Sequence, residues 1–202
     1  MMKAVQLGLC LALTAVHMPV AAGAADFSDP DWPCIQRKVE TLSPGLMWPD
    51  PISAVPLDQS ARDLVAALAL RRVGLDAAEQ RIKAFSESPP GADAQVLGNV
   101  FLGVFDKLNS DRRRLIDGIA RYAHSQTALA DRIDSARTEV ETQMAATAPD
   151  FDRIDALEEQ IDWDERIYKD RARALTYVCE TPVLLEKRAY AIAQLLLKYA
   201  PQ

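Results

Sequence analysis

The sequence predicts an all-α protein, a small four-helix base from which a long antiparallel two-helix hairpin extends, preceded by a strap rich in proline and tryptophan. Two observations carry the hairpin and one the strap. Apolar residues recur at heptad spacing first through Leu108, Leu115, Ile119, Tyr122, Leu129, Ile133, Ala136 and Val140. They recur again through Ile154, Leu157, Ile161, Tyr168, Leu175, Val178, Leu185, Ile192 and Leu196. If the chain folds back near Thr147, facing partners have residue numbers summing to about 294: Val140 meets Ile154, Ile133 meets Ile161, Ile119 meets Leu175 and Leu108 meets Leu185. Residues 25–56 hold six of the twelve prolines and two of the three tryptophans, which excludes helix over most of that stretch.

From the N-terminus, Lys3, an apolar run over 4–16 and the small residues Ala22-Gly23-Ala24 follow the order of a secretory signal peptide cut after Ala24. The run is too short for a membrane span, and Cys10 lies inside it rather than after it, where a lipidated cysteine belongs. Removing residues 1–24, with Lys3 and no acid, leaves 22 basic and 29 acidic side chains, a net charge of −7. An acidic exported chain without a basic stripe does not suit nucleic acid, and no later segment is apolar enough to span a bilayer. Two cysteines then remain, Cys34 and Cys179. In an oxidising compartment they are expected to pair and tie the strap to the hairpin.

The strap, 25–56, contains Asp31-Trp32-Pro33-Cys34 and Trp48-Pro49-Asp50-Pro51, with one short helix expected over 35–42. Trp32 and Trp48 suit either plugs over a helix seam or the lining of a ligand groove. A helical domain, 57–202, follows. Its first helix is expected over 58–73, with Leu57, Ala61, Leu64, Val65 and Leu68 on one face and Gly74 as its stop. A second is expected over 76–86, where Asp76 and Glu79 have the spacing of a capping box. The first arm of the hairpin, 92–145, opens with the most apolar stretch of the mature chain, 96–108, too wide for a two-helix seam and so expected to sit in a four-helix base. The second arm, 149–199, is expected to start with Pro149 in its first turn and to kink at Pro182 within one axial path, since the heptad phase is the same on both sides.

Chemistry-bearing residues are sparse. His124 is the only histidine of the mature chain, so it supplies neither a metal cluster nor a triad, and it lies just off the seam. Asp29 and Asp31 lack the glycine and closing glutamate of a calcium loop. No cofactor and no catalytic residue is expected. Arg112, Arg113 and Arg114, where the arm leaves the base, are expected to pair with acids of neighbouring helices or to be solvated.

The sharper feature is charge. Asp150, Asp152, Asp155, Glu158, Glu159, Asp162, Asp164 and Glu165 stand against Arg153 alone, a local charge of −7, and the facing stretch 129–145 adds −2. Pairs such as Asp155 with Glu159 and Glu158 with Asp162 repel at i,i+4 by a few tenths of a kcal/mol each. This surface is either a solvated face or a docking tip for a basic protein surface. Candidate contact residues are Arg137, Asp150, Asp152, Asp155, Glu158, Glu159 and Asp162, with Trp163 on the flank.

The run Asp31-Trp32-Pro33-Cys34-Ile35-Gln36 after a signal peptide, with Trp48-Pro49 and a helical remainder, resembles a group of uncharacterised small exported proteins of Gram-negative bacteria, some linked to beta-glucan biosynthesis. The resemblance implies export to the periplasm and a paired Cys34 and Cys179, and it implies no active residue. The expected function is a periplasmic interaction or scaffold protein of the cell envelope. A holdase-type chaperone and an accessory protein or enzyme of envelope glucan biosynthesis are the alternatives. A two-helix arm buries little, so a second copy could complete it as a four-helix bundle.

Overall fold

The computed structural model describes residues 29–88 and 93–201; the segment 1–24, read above as a signal peptide, lies outside them. Four helices follow one another, α1 Gln59–Ala69, α2 Leu75–Glu87, α3 Ala94–Met144 and α4 Phe151–Lys198, and among the described residues there is no strand. None of these helices is long and apolar enough to cross a membrane.

The base forms where all four helices meet. Ala61, Leu64, Val65 and Leu68 of α1 and Ala78 and Ile82 of α2 pack on the broad apolar start of α3, Leu97 to Leu108, and on Leu185, Ala189, Ile192 and Leu196 of α4. The fit is close: a Cβ at Gly103 would stand 3.0 Å from the Val65 side chain. Polar side chains lock the helix ends. The Arg188 guanidinium of α4 donates to the Leu68 carbonyl at 2.7 and 3.0 Å, satisfying a carbonyl in the last turn of α1. Lys198 and Tyr199 at the end of α4 both donate to Glu79 of α2.

Several local expectations are corrected here. Helix α1 ends at Ala69, not near Val73, because Leu70 turns extended, and Gly74 is the N-cap of α2 with an ordinary φ of −60°. Asp76 and Glu79 form no capping box: α2 has no side-chain cap at its start, and Glu79 is taken by Lys198 and Tyr199. The arms start at caps one to two residues later than read. Asp93 accepts from Val96 N at 2.7 Å and Asp150 from Arg153 N at 3.1 Å, so Pro149 precedes the helix instead of opening it. Helix α4 passes through the buried Pro182 as one element.

The strap has no helix over 35–42; among its described residues the only regular element is a 3-10 turn, Pro44–Leu46. Its path gives the reason. It runs antiparallel to α3: Asp31 meets His124, Cys34 lies with Ile116 and Ile119, the Glu40 carbonyl accepts from Arg112, Trp48 stacks on Phe101 at 5.3 Å, and Ser53 and Val55 are held by Gln95 and Asn99. The Gln36 carbonyl accepts from Trp32 Nε1 and the Glu40 carbonyl from Arg112, so the backbone acceptors of this stretch are taken by side chains instead of a helical ladder. Ile52 seats directly on Gly98, where a Cβ would meet it at 3.1 Å.

Trp32 and Trp48 are buried as plugs, and Trp32 Nε1 donates to the Gln36 carbonyl at 2.6 Å. The Cys34–Cys179 disulfide, Cα–Cα 5.5 Å, closes a separation of 145 residues and sits in a second small core with Trp32, Ile116 and Ile119. At about 1.5 Å per residue, a two-helix arm beginning at Arg112 would be about 50 Å long; the strap covers α3 as far as His124, so the part formed by two helices alone comprises roughly residues 125–144 and 151–170, about 30 Å.

Candidate functional site: the acidic arm

The hairpin is zipped, from the edge of the base outward, by polar residues that occupy heptad positions of its seam. Counting by alternate threes and fours, Arg112 and Gln126 fall in the α3 series and Asp164 in the α4 series. Each receives a partner from across the fold. Arg112, fully buried, donates through Nε to Glu186 at 2.5 Å. Gln126 donates to the Tyr168 carbonyl at 3.2 Å. Asp164 accepts both forks of Arg132 at 2.7 Å. Beyond these, Arg137 pairs with Glu165 and Asp134, Lys169 with Glu165, and Arg153 with Glu139. The Gln126–Tyr168, Arg132–Asp164 and Glu139–Arg153 pairs sum to 294, 296 and 292, the fold-back register that the heptads predict.

This bonding divides the sequence-derived candidates. Asp150 caps α4 and Arg137 struts the two arms through Glu165. Asp164 is 4% exposed inside the seam. Asp152, Asp155, Glu158, Glu159 and Asp162 remain exposed, and none enters an ion pair among the described residues. Trp163 does not cover the edge of the seam; it is 62% exposed and lines a shallow hollow with Ala156, Glu159, Gln160 and Arg166. From Arg166 the sign of α4 reverses: Arg166, Lys169, Arg171 and Arg173 stand against Asp170 alone. This reversal was readable in the sequence as a run of four bases directly after eight acids.

The remaining candidates take structural places. His124 Nε2 lies 2.7 Å from Asp31 Oδ1 on the surface, joining the start of the strap to α3. Asp29 accepts from the Asp31 amide and from Lys38. Arg114 pairs with Asp111, and Arg113 is exposed. Among the described residues no group of three or more His, Cys, Asp or Glu is placed to hold a metal ion. Comparison with protein-family models, curated proteins and solved structures finds no match to this chain.

Hydrogen bonds from Arg132 hold the Asp164 carboxyl below the usual carboxylate range, against the opposing effect of burial. A group whose folded pKa is depressed contributes stability that is present above its unfolded value, about 3.9, and lost as pH falls through the folded value. Amides of the two arms around Arg132 and Asp164 are therefore expected to lose hydrogen-exchange protection as the pH drops below about 4, ahead of the base. In Asp164→Asn that acid-dependent loss should vanish. Equal acid sensitivity in the variant would show that the Arg132–Asp164 pair does not hold the arm.

Proposed function

We propose that the protein is a periplasmic helical-hairpin interaction or scaffold protein of the cell envelope, whose arm offers an acidic docking surface to a basic protein surface. The observation that carries this reading is the set of five exposed acids at the start of α4, Asp152, Asp155, Glu158, Glu159 and Asp162, left without ion-pair partners while Arg132, Arg137, Arg153 and Lys169 of the same arm are all paired to other acids. Repulsion within this set works against the helix, so folding supplies no reason for it. Opposite charge on a partner would raise the association rate and fix orientation. The disulfide suits an oxidising compartment.

The test is photo-crosslinking in cells from a probe at Asp152, which is exposed and unpaired; Arg137 is a poor site because it struts the arm. A discrete envelope protein is expected, lost when the five acids are changed to their amides. Capture that is indifferent to that change, or a smear of unrelated exported chains, would overturn the docking reading; the smear, together with protection of an unrelated protein from heat aggregation, would favour the holdase alternative.

A further inference from the structure

On the face of α4 turned away from the seam, exposed acids end where exposed bases begin. Asp152, Asp155, Glu159 and Asp162 stand there against Arg153; further along, Arg166, Lys169 and Arg173 stand against Asp170 alone. The face therefore carries −3 on one side of Trp163 and +2 on the other. Trp163, at the boundary, is 62% exposed, and Arg166, which lines the same hollow, enters no ion pair among the described residues.

A helix face with opposite signs on the two sides of its midpoint is complementary to its own reversed copy, the requirement of an isologous dimer. We infer that the basic surface met by these acids is the stretch 166–173 of a second copy of this chain, packed antiparallel along the outer face of α4 with the two-fold axis at Trp163. Facing residues then have numbers summing to about 326. Glu159 of each copy meets Arg166 of the other, Asp152 meets Arg173 and Asp155 meets Lys169, six pairs of opposite sign in all. The two tryptophans meet at the axis, and Gln160 faces Ile167. Asp170, the one acid of the basic stretch, falls beside Ala156 and Arg153, and the two Asp162 side chains lie at the rim, next to Arg166 of the opposite copy. Charge selects this register: an axis one heptad further along, at Asp170, would set Arg166 against Arg173.

The same placement covers apolar side chains that the hairpin leaves open. Trp163 of both copies buries roughly 400 Å², and Ala156, Ile167, Ala174 and the stems of Arg166 and Arg173 extend the contact over about 33 Å of helix. Tyr177, 76% exposed, comes to the tip of the other copy at Pro149. One helix face gives an interface at the small end of the specific range, ~1,200 Å², so its affinity depends on the ion pairs. The two arms become a four-helix layer with the two α4 helices at its centre. This inference rests on the docking reading of the acids and names their partner.

Sedimentation of the exported, disulfide-bonded chain at micromolar concentration and low salt should give twice the chain mass, falling toward the single mass as salt rises to about 1 M. Glu159→Arg and Arg166→Glu should each sediment as a single chain with unchanged helical circular dichroism, because both side chains are exposed. Mixing the two variants, or making both changes in one chain, sets opposite charges face to face again and should restore the double mass. With Cys34 and Cys179 bonded to each other, Ala156→Cys mixed with Asp170→Cys should give a mixed disulfide that neither forms alone. The product captured in cells from a probe at Asp152 is then this chain itself. A single-chain mass at every concentration overturns the second copy, and docking of the acids then stands or falls on the protein captured from Asp152. A dimer that survives both single reversals, or that their mixture fails to restore, overturns this interface and its register.

Discussion

Replacing Cys34 and Cys179 together by alanine is expected to produce the largest loss of stability of any conservative change in this chain. The bond closes 145 residues, and removing it restores to the unfolded chain a loop-closure entropy equivalent to about 5 kcal/mol at most. For a chain of this length that corresponds to a fall in Tm of roughly 10–20 °C. The loss has a place as well as a size. Trp32 is held in the small core that the disulfide forms with Ile116 and Ile119, so the N-terminal half of the strap should come away first, while Trp48, stacked on Phe101 within the base, stays. Limited proteolysis of the variant should cut within residues 35–43 well before it cuts the helices. A melting temperature equal to that of the parent chain, with the strap still resistant, would show that the strap is held by its other contacts alone.

Glu186→Leu is expected to be nearly as damaging, at about 3 kcal/mol, because it strands the fully buried Arg112 with a charge and only a long 3.4 Å contact to the Glu40 carbonyl. The sign of the second step makes the prediction specific. Changing Arg112→Met in the same chain removes the stranded charge and should recover most of the loss, so the two substitutions are strongly non-additive in denaturant unfolding. Additive losses would mean that Arg112 is solvated and that the pair contributes no more than surface pairs do, about 0–1 kcal/mol. The pair sits where the four-helix base narrows to the arm, and its role is to align α3 with α4 there as Arg132 and Asp164 do further out.

The heptads were enough to give two long antiparallel helices, their fold-back and their register, because each turn repeats the same instruction and errors at single positions average away. Gaps in the same heptads, Arg112 and Gln126 in one arm and Asp164 in the other, were visible as polar residues at seam positions, yet nothing local said which partner each would take. Glu79 shows how local spacing misleads. Its position three residues after Asp76 suits a capping box, but Lys198 and Tyr199, more than a hundred residues away, hold it instead. Trp163 is the opposite case: the sequence placed it on the flank of the arm, and only the packed helices show that it faces outward with most of its surface open.

By itself, then, the sequence determined what depends on composition and period: an all-helical chain, an apolar base, a disulfide between the two cysteines that follow residue 24, and an acidic stretch followed by a basic one. The tertiary structure decided which acids are spent on caps and struts and which remain unpaired, how the strap runs along α3, and that Trp163 and Tyr177 stand open on α4. The reason is physical. Helix and seam arise from many short-range terms of the same sign, whereas the fate of a single carboxylate rests on one or two contacts of about 1 kcal/mol each, whose partners come together only when distant helices dock.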